Sequence, residues 1–306
     1  MSTPMLRQVT KNVMAVTAFN PGPMTLQGTN TYLLGSGSHR VLVDTGAGVQ
    51  RWRNVLAFLA QGNLEGAYEE CRDYDDTVHT ELQKHEFLSN VPTIPFTVSD
   101  ILLTHAHPDH ISGLTHAKEL FPQARVWKLP PVDPDMEVLP MGEMRCNNDV
   151  TVTALATPGH CADHSAFVFD NTLFVGDTIL SGTLGTSVAD LRQYLNTLDV
   201  LREHAKRCTV LASAHGLEVH GTEEMLSVID AYKQHRIQRV EQVEQVLRDR
   251  PSLALTAKEI ASEIYVDIEP HLLGAATSNV RGALDYLRSK LRVSDHGDGT
   301  WQFVDH

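Results

Sequence analysis

Long apolar runs are missing from this 306-residue chain. No stretch approaches the roughly 18 uninterrupted apolar residues of a membrane span, and the N-terminus lacks the apolar run of a secretory signal. The expectation is a soluble protein with no membrane partner, resident in the cytoplasm. A mitochondrial address is the alternative, because Arg7 and Lys11 stand with no acid before Asp44, but strand-like sequence from Val13 leaves little room for a cleavable helix. Cysteine is scarce as well. Cys71, Cys146, Cys161 and Cys208 lie far apart with no C-x-x-C pair, which excludes a zinc ribbon and a disulfide framework and leaves reduced thiols in or near a core. Basic residues fall short of acidic ones by 13 charges, so the chain does not coat nucleic acid by bulk electrostatics. Repeats and low-complexity tracts are absent too.

The deficit of positive charge is local. Residues 1–230 hold 15 Lys and Arg against 27 Asp and Glu, whereas residues 231–306 hold 10 against 11. Eight of the acids crowd into residues 61–90 without the spacing of a calcium loop, as expected of a solvated insertion. What the chain has in quantity is apolar residues, 42% of the total and enough for a large core, and 16 histidines.

Short β-branched runs at 13–19, 31–34 and 41–43 read as strands joined by tight turns, followed by polar helical sequence over 51–83. Ile101-Leu102-Leu103 reads as a buried strand and 112–121 as a helix. Strand-like runs recur at 125–129, 150–156, 165–169, 172–175 and 210–212, with a helix over 189–205. Mixed elements without a strict βαβ rhythm imply two mixed sheets packed together with helices outside. After Gly221 a long amphipathic helix runs towards Pro251, Thr256 to Glu259 has the form of a capping box opening a second helix, and a third spans 270–291. An Asp298-Gly299 turn between alternating segments then reads as a hairpin, completing a winged-helix outline.

Chemistry concentrates after the buried strand. His105-x-His107-x-Asp109-His110 places three imidazoles and a carboxylate within six residues. On extended backbone i and i+2 face the same way, so His105 and His107 can share one metal, while the turn at Pro108 lets Asp109 and His110 face another. Zinc accepts such nitrogen and oxygen donors. Three further apolar runs end on His160, Asp177 and His215. Each alone suits a cap or loop hydrogen bond; together, in this order, they form a ligand set.

That set, His105, His107, Asp109, His110, His160, Asp177 and His215, resembles the metallo-β-lactamase fold superfamily over residues 9–225. The segment Asn20-Pro-Gly-Pro through Asn30-Thr-Tyr32, the run Leu42-Val-Asp44-Thr-Gly46, the motif Thr157-Pro-Gly-His-x-x-Asp163-His164 and the tail are similar to the β-lactamase-like protein 2 group of endoribonucleases, over almost the whole chain. The resemblance implies an α+β fold, an αββα sandwich over 1–230 with an acidic insertion near 51–97, followed by a winged-helix-like domain over 231–306. It implies two zinc ions: His105, His107 and His160 at site one, Asp109, His110 and His215 at site two, and Asp177 bridging. Paired ions lower the pKa of a shared water, which attacks as hydroxide. Asp109 would orient that nucleophile, and His164 would donate a hydrogen bond to substrate or leaving group. Asp44 is expected as support behind a ligand, Asn30 and Thr31 as wall or turn residues, and His220 as a near neighbour. The remaining histidines read as ordinary surface or loop residues. Departures are Ser213-Ala214 where relatives usually carry Pro-Gly before the histidine, and Ala106 where a bulky aromatic is common.

Such a site hydrolyses esters of many kinds. Single-stranded RNA is the favoured substrate through the group resemblance, with Arg281, Arg288, Lys290, Arg292 and Trp301 of the tail as the grip. The alternative is a small or carrier-bound thioester, in the manner of glyoxalase II or an acyl-carrier-protein thioesterase. A third reading, an inactive scaffold, is opposed by a ligand set with no member missing.

Overall fold

The computed structural model describes residues 4–72, 94–267, 269 and 272–304. The acids from Asp73 to Glu86, together with His79, His85, His271 and His306, lie outside the described residues. Two sheets face each other. The first runs in sequence order: β1 (Leu6–Thr10), β2 (Val13–Thr17), β3 (Asn30–Leu34), β4 (His39–Val43), β5 (Thr97–Leu102), β6 (Arg125–Lys128) and β7 (Glu137–Val138). The second has the order β13-β12-β11-β10-β9-β8, from β8 (Gly142–Arg145), β9 (Thr151–Ala156), β10 (Ser165–Phe169), β11 (Thr172–Gly176), β12 (Val210–Ser213) and β13 (Val219–His220).

The core explains the layering. Val13, Ala15, Leu34, Val41 and Val43 point from the first sheet onto Val152, Phe167 and Phe174 of the second. Alternate residues of the first sheet, Met14, Val16, Leu33, Leu42 and Ile101, face outward. They are covered by α1 (Gln50–Ala60), α2 (Leu64–Arg72) and α4 (Leu114–Leu120), which follows the single turn α3 (Pro108–Ile111). Strands buried on both faces are what the unbroken apolar runs predict. The outer face of the second sheet is covered by α5 (Leu191–Ala205) and α6 (Thr222–Arg248). None of the described helices is long and apolar enough to cross a membrane.

The tail is a winged helix: β14 (Leu255–Thr256), α7 (Ala257–Ile264), α8 (Leu273–Ser289), β15 (Val293–Asp295) and β16 (Thr300–Phe303), the strands forming a small sheet in the order β14-β16-β15. Both arms of the Thr256–Glu259 capping box are made. Residue 230, where the sequence suggests a division, falls inside the unbroken α6. One apolar cluster runs from Leu173 and Leu211 of the sandwich through Ile229 and Val243 of α6 to Ile260, Leu284 and Trp301 of the tail. The tail is therefore cemented to the sandwich.

The grip expected of the tail is met only in part: Lys290 stays exposed, its Nζ 5.5 Å from the centre of the Tyr286 ring, while other members are engaged within the protein. Trp301 is only 7% exposed and belongs to the core, so it offers no stacking face. Arg288 pairs with Asp285 and Asp295, each at 3.0 Å, and Arg292 with Glu244 at 2.5 Å. Arg281 shares its groove with Asp285, Asp295 and Asp298. Carboxylates close to these guanidinium groups compete with the phosphates that would recruit them.

Candidate metal centre

Parallel pairing sets the site. β4 pairs with β5 and β11 with β12 in parallel, so their C-terminal ends open side by side, one pair per sheet. Beyond β5 comes the His105–His110 segment, beyond β9 His160, beyond β11 Asp177 and beyond β12 His215. The sheets are pinned there by Asn30 N–H to the Ala214 carbonyl at 2.7 Å, and by the Asn30 side-chain amide to the Ser213 and Gly216 carbonyls at 3.1 and 2.7 Å.

All seven expected ligands converge. His107 Nδ1 lies 2.9 Å from His105 Nε2 and 3.1 Å from His160 Nε2, three nitrogens aimed at one point. On the other side His110 Nε2 and His215 Nε2 lie 3.3 and 3.4 Å from Asp109 Oδ2. Between the groups stands Asp177. Its Oδ2 is 3.9 and 3.7 Å from Nε2 of His105 and His160, and its Oδ1 is 3.4 and 3.2 Å from Nε2 of His110 and His215.

The chemistry of these donors fits cations. His110 Nε2 and Asp177 Oδ1 are buried without a hydrogen-bond partner, a costly state for a nitrogen and a carboxylate oxygen unless something bridges them. The far nitrogens are committed elsewhere: His160 Nδ1–H donates to the Ser187 carbonyl at 3.0 Å and His215 Nδ1–H to the Gly28 carbonyl at 3.3 Å, which leaves each Nε2 lone pair facing the centre. Electrostatics agree. Burial opposes charge on His110 and His215, yet Asp177, with Asp44 at the first and Asp109 at the second, outweighs it. His110 is held well above the ordinary imidazole range and His215 is pushed up to about 9. His105, by contrast, is lowered by burial and by its neighbours His110 and His164.

Asp44 anchors this arrangement from behind. Its Oδ1 accepts the Thr104 N–H and its Oδ2 accepts both Thr104 Oγ1–H and His110 Nδ1–H, all at 2.8 Å. Asp44 itself sits at φ 56°, a left-handed conformation that Asp tolerates better than most residues. Spacing alone cannot reveal that role, because Asp44 is 66 residues from its histidine. His164 is not at the mouth of the site. It is 1% exposed, with Nδ1 2.8 Å from Thr157 Oγ1 and Nε2 accepting the Asp177 N–H at 3.1 Å. Gly176 makes room for it, since a Cβ there would fall 2.5 Å from His164 Nε2. Thr31 is engaged with Trp52 and the Val16 carbonyl, and His220 pairs with Val210 at the far end of β12, so neither reaches the centre.

A pocket of about 250 Å³ opens on His160 and Asp177. Pro23, Met24 and Leu26 form one wall, Leu180 another, and Tyr265 and Leu272 of the tail the third, with Thr186, Ser187 and Asn279 as its polar points. Among the described residues no Lys or Arg lines it. Sequence reading missed this pocket, because its walls come from segments more than 200 residues apart.

An αββα sandwich with two facing clusters of candidate metal donors and a winged helix along one side defines the class: a hydrolase scaffold with an appended winged-helix domain. The chain belongs to the metallo-beta-lactamase superfamily, whose model matches residues 24–130, and the beta-lactamase associated winged helix domain matches residues 256–301. A beta-lactamase-like protein 2 homolog from Drosophila melanogaster is 31% identical over 96% of this chain and 94% of its own length. An atrochrysone carboxyl ACP thioesterase from Aspergillus fumigatus is 32% identical over 74% of this chain, which spans only 63% of that protein. Among solved structures, a beta-lactamase domain protein from Burkholderia ambifaria shares the fold with a TM-score of 0.72 at 19% identity, covering 98% of this chain and 93% of its own.

Proposed function

We propose that this protein is a dinuclear, zinc-dependent thioester hydrolase acting on an uncharged, apolar acyl group. His105, His107 and His160 would hold one ion, Asp109, His110 and His215 the other, and Asp177 would bridge them. When bound, the two ions supply a water of lowered pKa and a clamp for the oxygen that turns negative.

The residues of the chain divide the remaining work. Asp109 is the ligand carboxylate with most access to solvent, its side chain 25% exposed, and Thr29 Oγ1–H fixes its Oδ2 at 3.0 Å. It is placed to orient the attacking water and accept its proton. His164 acts as a positioning residue: with Nε2 accepting the Asp177 amide and Nδ1–H directed to Thr157, it has no proton to give a leaving group. That suits a thiolate, which with a pKa of about 8.5 leaves unaided, better than the alkoxide released from RNA.

The observation that carries the substrate class is the pocket, an apolar cavity with no Lys or Arg among its described residues, opening on two of the proposed metal ligands. The paired arginines and buried Trp301 of the tail favour the thioester over RNA for the same physical reason. The thioesterase named among the relatives supports this choice. A parallel assay of the zinc-loaded protein on S-lactoylglutathione, an acyl-carrier thioester and labelled single-stranded RNA tests it, with His107→Ala as the contamination control. Thioester turnover that vanishes in the variant is expected. RNA cleavage that vanishes in the variant, without thioester turnover, would overturn the substrate and leave the metal site standing.

A further inference from the structure

The two halves of the centre are unequal in charge. Site two is faced by Asp109 and by Oδ1 of Asp177, whereas site one is faced by three imidazoles and only Oδ2 of the shared Asp177. A second residue stands next to site one. Cys161 is half-buried, and its Sγ and one nitrogen each of His105, His107 and His160 all lie within 4.8 Å of one another.

The cysteine is held there by a separate scaffold. Its Sγ stands beside the Asp163 carboxylate, and burial together with that charge pushes the thiol up to about 12, so a bound ion must displace its proton. That carboxylate is fixed by the Ala106 N–H and by Lys128 Nζ, both at 2.9 Å. Lys128 is fully buried, and its ammonium also donates to the Leu129 and Asp163 carbonyls at 2.8 and 2.6 Å. Ala106 lies between His105 and His107, so the same hydrogen bonds that fix Asp163 tie the cysteine to the backbone carrying two site-one ligands. The side chain is thus held in place and does not depend on a mobile loop.

We propose that Cys161 is a metal ligand of site one, making it a three-histidine, one-thiolate centre that shares Asp177 with its neighbour. Binding breaks the S–H bond and forms a sulfur–metal bond, the proton leaving to solvent. The thiolate adds an anionic donor that belongs to site one alone, and as a soft ligand it favours zinc over magnesium, calcium or manganese at that position. The inference rests on the metal-site reading above but is independent of the substrate.

X-ray absorption at the zinc edge of the full chain, saturated with zinc, tests it without recourse to activity. The expected spectrum contains a sulfur scatterer at about 2.3 Å beside nitrogen and oxygen at about 2.0–2.1 Å. The sulfur shell should disappear in Cys161→Ser while the lighter shell remains. Bound zinc with only nitrogen and oxygen neighbours in the unaltered protein would overturn the assignment and leave the hydrolase reading intact. A sulfur shell that persists in the variant would overturn it too, by tracing the sulfur to another cysteine. A chain that takes up no zinc would overturn both readings. A parent spectrum without sulfur overturns the assignment with no variant at all, and where Cys161→Ser fails to fold, Cys161→Ala supplies the comparison.

Discussion

Replacing Asp44 by Asn should remove one metal ion and leave the other. The substitution preserves volume, and Asn tolerates φ 56° as Asp does, so the backbone has no cause to move. What changes is a single acceptor. The amide oxygen keeps its place opposite the Thr104 N–H, which cannot go unsatisfied, and the NH2 group then occupies the position of Oδ2, facing His110 Nδ1 at 2.8 Å. Two N–H groups cannot face each other, so His110 must shift its proton to Nε2. That is the atom aimed at Asp177 Oδ1 and Asp109 Oδ2, and once protonated it has no lone pair for a metal. Losing the partner of a ligating imidazole typically costs 10- to 100-fold in metal affinity, about 1.4 to 2.8 kcal/mol; an inverted tautomer belongs at the upper end. Site one is disturbed less, since His105 Nδ1 reaches Asp44 only through Thr104 Oγ1, 3.0 Å away, and neither His107 nor His160 bonds to Asp44. Dialysis against graded zinc buffers followed by elemental analysis should show two ions per chain in the parent and one in the variant. Two ions held with parental affinity would refute the tautomer argument.

Other perturbations follow from the same geometry. Asp177→Ala removes the carboxylate common to both clusters, and activity should vanish with bound metal falling to one ion or none; retention of two tightly held ions contradicts bridging. In Gly176→Ala the new Cβ would sit 2.5 Å from His164 Nε2, and such overpacking costs about 1–3 kcal/mol. The urea midpoint should drop accordingly, and an unchanged midpoint would show that His164 is not wedged in place. In chelator-treated protein the His215 pKa of about 9 lies above the unfolded value of about 6.5. Its contribution is full below pH 6.5 and disappears as pH rises through 9. His164 is lowered by burial to about 3, so it opposes folding as pH falls below 6.5. Denaturant titrations should therefore find the metal-free protein most stable near pH 6.5; a flat profile from 6.5 to 9 would contradict the His215 pairing.

The converging His and Asp cluster was legible because its signal is local. Three of the histidines and Asp109 lie within six residues, directly after a strand that announces itself as Ile101-Leu102-Leu103. His160, Asp177 and His215 each terminate an apolar run, so reading strands also located these members of the cluster. The winged helix was legible for a similar reason, through the Thr256–Glu259 capping box and the Asp298-Gly299 turn. Edges were harder. β8 buries only one of its four residues and β13 is two residues long, too little for any period to show. Contacts between distant segments left no local trace: Arg7 pairs with Glu218 across 211 positions, and the pocket joins Pro23 to Leu272. The same distance effect misled the reading of the tail. Arg292 and Trp301 look like a nucleic-acid grip until Glu244 is found beside the one and the core around the other.

Anomalous diffraction at the zinc edge from zinc-grown crystals tests the central claim most directly. The account predicts two peaks flanking the Asp177 carboxylate, one against His105, His107 and His160 and the other against Asp109, His110 and His215. A single peak, or two peaks that do not share Asp177, would contradict it.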